Sequence, residues 1–369
     1  MKILAVCRGA PGLGRVAPAY ALAQTLRTMP CGVQALFATY GAGRAYLAAL
    51  GEQVIDLGTP DGLFIDPVGP QALHVLELAE QFTPDLILID GEFYLPSTLR
   101  HLGTATGYLA NPHDLLGTPN TFRRVNRLML GHADAVIVSS LNCAEAHELP
   151  GLVVGARCLE VPAIVKDLPL AHRPHAGPPR VLVSMGGGSL RADPRFREAT
   201  DAALAAILAA LAALVAERQV ARVTLVAGAD LTPPVTRVPR WLTIATHPTE
   251  LTTLYPDHEV LVVRAGRNAT AEARYAGIPT VLVPVTADRH RGGEQLHNAQ
   301  VAAHSTNIFP LPDRHRADTI QHVLRHALSH AGDQRRPGQR GNEAAAGLLA
   351  RLRPLVDDPH IPRPALMER

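Results

Sequence analysis

The chain has 369 residues, and its 47% hydrophobic content can fill two substantial cores, so we expect two domains. Lys and Arg number 35 against 33 Asp and Glu, and this near balance excludes the broad basic surface with which proteins bind nucleic acid. The four scattered cysteines lack C-x-x-C spacing, which excludes a disulfide framework and suits a reducing cytoplasm.

The first half of the chain alternates apolar runs of strand length with segments of helical period. This alternation is typical of βαβ units and a parallel sheet. Residues 1–7 carry one positive charge and too short an apolar run for a signal peptide, so we interpret them as the first strand. The strands predicted in this half are 3–7, 33–37, 53–57, 85–89, 106–109 and 135–138.

The second half repeats the pattern after a proline-rich polar stretch, residues 166–180, which is typical of an interdomain linker. A long helix is predicted over about 199–217, and its apolar part, 202–216, is shorter than the ~20 residues that a membrane span needs. We therefore expect packing rather than a span. The strands predicted here are 181–184, 222–226, 242–246, 260–263 and 280–283.

These patterns predict an α/β protein with two Rossmann-like domains, each a doubly wound parallel sheet. The predicted N-terminal domain covers residues 1–165, the linker 166–180 and the C-terminal domain 181–345. A last helix and a proline-rich tail occupy 346–369.

The turn after the first strand contains Gly12, Gly14 and Ala17, which match the dinucleotide pattern G-x-G-x-x-A. The match is weak because the glycines begin several residues after the strand. The second strand also ends in Ala38-Thr39-Tyr40, without the acidic residue that would hold a ribose. We therefore favour a polar or anionic ligand over a nicotinamide or flavin cofactor.

A second glycine-rich turn follows the strand 181–184 and includes Gly187, Gly188 and Ser189. Backbone N–H groups of such a turn can bind a pyrophosphate. A tight strand-to-helix turn is the alternative, but it does not require so many glycines.

A third feature is a buried strand, a glycine turn and a helix start at residues 261–272. The helix N-terminus favours a phosphate through its unpaired N–H groups, and Arg264 and Arg267 add positive charge. Glu272, about one and a half turns into this helix, could accept both hydroxyls of a ribose if it faces inward. Otherwise it is an exposed residue that offsets Arg274 or the helix dipole.

A fourth feature, Glu294-Gln295, stands at a loop-to-helix junction after strand 280–283. A carboxylate beside an amide can bind adjacent sugar hydroxyls, because the first accepts and the second both donates and accepts hydrogen bonds. Seventeen histidines show no H-E-x-x-H or Cys/His ligand spacing, so we expect no metal.

Several of these motifs occur in one order that resembles the donor half of the GT-B glycosyltransferases, most closely family 28, the MurG-like type. The elements are A-G at residues 265–266, T-x-E at 270–272, A-G-x-P at 276–279, V-P at 283–284 and E-Q-x-x-N-A at 294–299. Residues 184–189 are similar to that family's G-G-S loop. Residues 12–18 look like its N-terminal glycine-rich element.

The resemblance implies two domains that face a cleft and a metal-independent, inverting transfer from a UDP-sugar, without another cofactor. It places the ribose on Glu272 and the sugar on Glu294 and Gln295. The diphosphate would lie near Ser189, Arg264 and the helix that follows Gly266. The full set of predicted donor-binding residues is Gly12, Gly14, Gly187, Gly188, Ser189, Arg264, Gly266, Arg267, Asn268, Thr270, Glu272, Glu294 and Gln295.

Arg15 departs from the family pattern, since many relatives have histidine there. An arginine is effectively never deprotonated and cannot serve as the base that activates an acceptor hydroxyl. Asp90, at the end of strand 85–89, is the first candidate base, and His113 and Asp114 are the second. The same substitution keeps a non-catalytic sugar-nucleotide-binding protein open as an alternative.

Two further classes of enzyme share this architecture. A sugar-nucleotide hydrolase would use the missing histidine to activate water, and a 2-epimerase would need acid and base residues that we do not recognise. Both are less favoured than transfer.

The acceptor is left open among a lipid carrier, a polysaccharide and a small aglycone. Leu115, Leu116 and Phe122 stand beside Arg123, Arg124 and Arg127, a pattern that suits an anionic membrane or an ordinary amphipathic helix. We expect a cytoplasmic protein, with peripheral contact at the inner membrane face as an open alternative.

Overall fold

The computed structural model describes residues 1–352 except 11, 31, 63, 117–119, 142–152, 154, 174, 187–193, 228–236, 247–250, 288–291 and 313–315. For residues 116, 120–123, 246 and 292 it describes the backbone alone. The chain forms two compact units. The first contains Met1–Gly9, Arg15–Ile164 and Gly341–Arg369, and the second contains Ala10–Gly14 and Val165–Arg340.

The first unit is built on a seven-stranded parallel sheet in the order β3-β2-β1-β4-β5-β6-β7. Its central strands are almost continuous runs of buried residues, as in sheets covered by helices on both faces. The strands are β1 (Lys2–Cys7), β2 (Gln34–Thr39), β3 (Val54–Asp56), β4 (Leu86–Asp90), β5 (Ala105–Ala110), β6 (Ala135–Ser140) and β7 (Arg157–Pro162). The helices between them are α1 (Val16–Arg27), α2 (Gly41–Ala49), α3 (Pro70–Phe82), α4 (Leu95–Leu99), α5 (Pro112–Leu116) and α6 (Asn120–Leu130).

The second unit contains a six-stranded parallel sheet in the order β10-β9-β8-β11-β12-β13. Its strands are β8 (Arg180–Ser184), β9 (Arg222–Ala227), β10 (Leu242–Thr246), β11 (Val260–Arg264), β12 (Thr280–Val283) and β13 (Ile308–Pro310). Its helices are α7 (Pro194–Ala216), α8 (Arg267–Ala276), α9 (Gly292–Ala302) and α10 (Ala317–Ser329), with a 3₁₀ segment at Leu251–Asp257. The predicted fold class, two doubly wound parallel sheets, is confirmed.

Helix α7 is the one described helix that is long and apolar enough to cross a membrane by length and composition. Its buried residues, among them Leu204, Ile207, Leu211 and Leu214, belong to the hydrophobic core of the second unit. Core helices of soluble proteins pass the same test, so the helix is a packing element, as the sequence predicted.

The end of the chain returns to the first unit as α11 (Asn342–Leu349). The Asn342 side-chain amide donates to the Thr25 hydroxyl at 3.1 Å, and Leu349 is fully buried. A Cβ on Gly107 would lie 2.6 Å from Leu349, so the absence of a side chain at Gly107 admits this contact. By contrast, residues 166–180 group with the second unit, where the Arg173 N–H donates to Pro256.

Candidate functional site

Ligands of open parallel sheets bind outside the carboxyl ends of the strands, at the point where the strand order reverses. In the first unit the order reverses between β1 and β4, and in the second between β8 and β11. The charged residues predicted from the sequence follow these strands: Arg15 comes after β1, Asp90 ends β4, and Arg264 ends β11. Both switch points are therefore candidate binding edges.

At the edge of the first unit, Arg15 bridges two carboxylates. Its Nη1 lies 3.2 Å from Asp90 Oδ1, and its Nη2 lies 2.6 Å from Asp114 Oδ1. The three side chains are 11%, 3% and 12% exposed, respectively. Since β1, β4 and β5 are neighbours in the sheet, residues far apart in sequence form one buried charged cluster.

Gly91 makes room for this cluster. It has φ of +87°, and a Cβ there would lie 2.9 Å from both Arg15 Cγ and Arg8 Cβ. A side chain at this position would be strained and would displace the two arginines.

The two carboxylates of the cluster have different acidities. Burial, reinforced by the charge of Asp114, raises the pKa of Asp90 to about 7, although Arg15 opposes the shift. Burial alone would also raise the pKa of Asp114. At Asp114, however, the charge and the hydrogen bond of Arg15 outweigh burial, and the Asn111 N–H at 3.0 Å adds to their effect. Together they hold the pKa of Asp114 below its usual range. At neutral pH, Asp114 is ionised and Asp90 is near its midpoint.

Arg15 stays charged in this setting. Burial works against its charge, but Asp114 and Asp90 outweigh burial and raise the pKa of the guanidinium above its ordinary value. The neighbouring candidate His113 is half-buried on α5.

Sequence reasoning missed two neighbours of this cluster. Tyr108, on β5, is completely buried, and its hydroxyl has no hydrogen-bond partner among the described residues. Burial raises its pKa, and Arg15, Asp114 and Asp90 are close enough to influence it. Glu92 is also buried, where it accepts hydrogen bonds from the Tyr40 hydroxyl at 2.7 Å and the Ile65 N–H at 2.8 Å. A tyrosine within an apolar strand is typical of a core residue, so the sequence did not indicate that Tyr108 lies beside the charged cluster.

At the edge of the second unit, Arg264 lies next to the glycine turn after β8. A Cβ on Gly186, which has φ of +106°, would lie 2.7 Å from the Arg264 guanidinium. That guanidinium also stacks over the Phe196 ring at 5.1 Å. Gly266 is the N-cap of α8, and a Cβ there would meet no atom within 4 Å. A cation and a helix N-terminus thus share one edge.

Glu272 is not an exposed helix residue. Its side chain is only 12% exposed, with Lys166 Nζ 3.9 Å from Oε1 and the Tyr255 hydroxyl 3.5 Å from Oε2. The side chain therefore faces into the unit, and its role in binding a ribose stays a prediction. Lys166 and Tyr255 were not singled out from the sequence, because one lies in the proline-rich stretch and the other in a 3₁₀ segment.

Two other predicted residues, Thr270 and Gln295, make contacts within the unit. The Thr270 hydroxyl donates to Gly266 O at 2.9 Å, and Gln295 Oε1 accepts from the Val285 N–H at 3.1 Å. Asn298, from the same motif as Gln295, donates to Ala265 O at 3.1 Å. These bonds fix the turns after β11 and β12. Arg267 is buried in the first turn of α8, and Glu294 is half-buried.

The remaining predicted residues fall in the two glycine-rich turns. Gly12 and Gly14 belong to the segment Ala10–Gly14, which groups with the second unit, and the Asn268 amide lies 3.4 Å from Gly14 O. Gly187, Gly188 and Ser189 lie outside the described residues. Among the residues that are described, no three His, Cys, Asp or Glu side chains group as a metal site would require.

The fold is that of the GT-B glycosyltransferases, and solved structures of this class match 95% of the chain. Spinosyn rhamnosyltransferase SpnG matches with a TM-score of 0.61 at 16% identity over 95% of each chain. MurG from Acinetobacter baumannii matches with a TM-score of 0.54 at 16% identity over 95% of this chain and all (100%) of that one.

A third structure, SsfS6 from Streptomyces sp. SF2575 in complex with thymidine diphosphate, matches with a TM-score of 0.51 at 17% identity, covering 95% of this chain and 100% of that chain. No protein-family model and no curated protein matches the sequence. At these identities the comparisons establish the fold. They confirm the GT-B class and do not single out the narrower MurG-like type.

Proposed function

We propose that this protein is a glycosyltransferase that takes a sugar from a nucleoside-diphosphate sugar. The observation that carries the proposal is the edge of the second unit, where Arg264, the N-terminus of α8 and the inward Glu272 lie along one strand-helix junction. These are the charges that a nucleoside diphosphate needs: positive for the phosphates and negative for the ribose hydroxyls.

The diphosphate would bind at the start of α8. The N–H groups at the start of the helix and the Arg264 guanidinium would stabilise negative charge, which grows as the glycosidic bond to the leaving diphosphate breaks. In this proposal transfer needs no metal ion, because the guanidinium and the helix terminus supply the positive charge. Activity that survives excess EDTA would support this part, and activity that requires added Mg²⁺ would contradict it.

The ribose would bind through Glu272, which lies about 1.5 turns into α8. The identity of the nucleobase is a separate question from the ribose contact. Family resemblance favours a uridine nucleotide, whereas SsfS6 was solved with thymidine diphosphate. Both nucleotides belong in the binding test.

The acceptor would be activated at the edge of the first unit, around Arg15, Asp90 and Asp114. SpnG, one of the structures of the same fold, was solved with a spinosyn aglycone. We therefore place small aglycones first in an acceptor screen, with lipid-linked acceptors second. Peripheral contact of a cytoplasmic protein with the membrane, through the exposed Arg124 and Leu128 of α6, is tested by flotation with anionic vesicles.

The donor site is tested with Glu272→Gln. Loss of hydrogen bonds between a carboxylate and ribose hydroxyls should weaken binding of UDP or dTDP by roughly 10- to 100-fold. Isothermal calorimetry with UDP, dTDP and ADP measures the effect, and Glu198→Gln, an exposed position on α7 of the same unit, is the control. Unchanged affinity for every nucleotide in Glu272→Gln would reject the site.

A non-catalytic sugar-nucleotide-binding protein is the second candidate, because Arg15 stands where the family's histidine is expected and is held by two carboxylates. Following one labelled nucleotide sugar with and without acceptors separates the alternatives. Steady turnover excludes the binding protein, free sugar without acceptor indicates a hydrolase, and inversion at carbon two indicates an epimerase.

A further inference from the structure

The three candidate bases differ in how their proton-accepting atoms are used. Both oxygens of Asp114 are occupied, Oδ1 by Arg15 at 2.6 Å and Oδ2 by the Asn111 N–H at 3.0 Å. Asp90 accepts from Arg15 through Oδ1 at 3.2 Å, and its Oδ2 accepts no hydrogen bond from any described residue. Asp90 therefore has an acceptor atom to spare, and Asp114 does not.

His113 is the third candidate, and its position in α5 argues against it. Adjacent residues of a helix point about 100° apart and do not face the same neighbour. Asp114 faces Arg15, and among the described residues no hydrogen bond or ion pair joins His113 to the charged cluster.

We propose that Asp90 is the general base of the transfer reaction and that Arg15, held by Asp114, is the positioning residue for its carboxylate. This inference rests on the proposed glycosyltransferase function. In the step, the acceptor oxygen forms a bond to the anomeric carbon, and the bond from that carbon to the diphosphate breaks with its electron pair on the diphosphate. The acceptor proton passes to Asp90 Oδ2.

The surroundings of Asp90 suit a base that works near neutral pH. A carboxylate with its ordinary pKa is a weak base, and burial moves this one to a pKa of about 7, close to the optimum for proton transfer at physiological pH. The titratable or charged groups that interact with it from the neighbouring elements are Cys7 and Arg8 of the β1 end, Arg15 before α1, Tyr108 of β5 and Asp114 of α5.

The unpartnered Tyr108 hydroxyl is a second, independent indication that the cluster receives a ligand. A buried hydroxyl without a hydrogen bond costs on the order of 1–3 kcal/mol, so one that persists in a folded site calls for a partner outside the described contacts. An acceptor hydroxyl, or a water that it displaces, would supply that partner beside Asp90.

The first test is Asp90→Asn, assayed by release of UDP or dTDP from the corresponding sugar nucleotides with a panel of phenols and aliphatic alcohols. Loss of the base should lower kcat by on the order of 10²- to 10⁴-fold while nucleotide affinity is retained, since the proposed donor site lies in the other unit. Asp56→Asn, an exposed carboxylate on β3 of the same sheet, should behave like wild type.

The second test uses two variants that should shift the pKa of Asp90 in opposite directions. Asp114→Asn removes the negative charge that raises the pKa of Asp90, so the acidic limb of the kcat/KM profile should shift to lower pH. Arg15→Met removes the positive charge that opposes the shift, so the limb should move to higher pH, and Arg15→Lys should restore it toward wild type. A merely structural cluster would not give shifts of opposite sign.

The outcomes separate the two proposals. Absence of turnover by the wild type with any donor and acceptor would overturn the proposed function. Wild-type turnover that persists in Asp90→Asn, or limbs that move together in Asp114→Asn and Arg15→Met, would overturn the assignment of Asp90 alone. Nucleotide binding and circular dichroism identify a variant that has lost its fold, and in that case restoration of Asp90→Ala activity by added formate decides the assignment.

Discussion

Arg15 changes the electrostatics of its surroundings compared with a histidine. A histidine can be neutral and share one proton with an acid, whereas an arginine is a permanent cation that must be neutralised when buried. Two carboxylates do so here, at 3.2 and 2.6 Å. The sequence identified all three residues, but it could not show that they form one cluster, because this depends on the order of β1, β4 and β5 in the sheet.

The raised pKa of Asp90 predicts a pH-dependent contribution to stability. Its carboxyl binds a proton more tightly in the folded state, where the pKa is about 7, than in the unfolded chain, where 3.8 applies. The proton therefore stabilises the fold fully below about pH 4, and this contribution is lost as pH rises through about 7. The free energy of unfolding of wild type, measured against Asp90→Asn, should fall by up to about 1.4 kcal/mol for each pH unit within this window.

Urea unfolding of both proteins across pH 4 to 8 measures the difference, in which the other titrating groups largely cancel. Asp56→Asn, which changes an exposed carboxylate of the same sheet, is the control and is treated in the same way. A constant difference between wild type and Asp90→Asn would show that Asp90 has an ordinary acidity.

At the scale of elements, helix α8 shows what motif spacing can and cannot predict. The glycine before the helix and the A-G-x-P after it were recognised, and the structure places Gly266 at the N-cap and Gly277 at the C-cap. The contacts of Gln295 and Asn298 were not predicted, since they join turns that are adjacent only in the folded sheet. Strands β7 and β13 were missed because β7 mixes charged with apolar residues and β13 is a short strand that ends in proline.

The glycine at the C-cap of α8, Gly277, can be compared with Gly103, which ends a short 3₁₀ turn in the first unit. Gly277 and Gly103 both have φ of +65°, but a Cβ on Gly277 would lie 2.5 Å from Arg336 O, whereas a Cβ on Gly103 meets no atom within 4 Å. Both alanine variants pay about 1–2 kcal/mol for the left-handed backbone. Gly277→Ala should cost clearly more, because the backbone around Arg336 must also move.

Chemical denaturation of the two variants checks this, with nucleotide binding as a second readout for Gly277→Ala. Equal destabilisation of the two variants would mean that the backbone at Arg336 moves without a loss of stability. The close contact between Gly277 and Arg336 would then not stabilise α8.

On the scale of the whole molecule, the chain forms the first unit, then the second, and then returns to the first. A last helix was predicted before the proline-rich tail, but a helical pattern in the sequence does not say which sheet the helix covers. The return is specified by contacts distant in sequence, such as Asn342 with Thr25 and Leu349 beside Gly107.

Ending the chain at Arg340 should therefore destabilise the first unit and not the second unit, although the second unit lies next to the deletion in sequence. Removing Leu349 alone exposes apolar surface worth roughly 1.5–3 kcal/mol, and Ala345 and Ala346 are also buried. Hydrogen exchange by mass spectrometry should show faster exchange in β5 and α1 and unchanged exchange in α8. Loss of protection confined to the second unit would contradict this assignment.

The return of α11 also has a consequence for the construction of chimeras. A single crossover near residue 165 would pair the first unit of one parent with the final helix of another, and the Asn342–Thr25 and Leu349–Gly107 contacts would have to match by chance. Two junctions, near 165 and 340, transplant the second unit as an insert and leave the host helix on its own sheet. Donor preference should therefore be exchanged between proteins of this fold when residues 165–340 are transplanted as one insert. A simple fusion of two halves at residue 165 should fail.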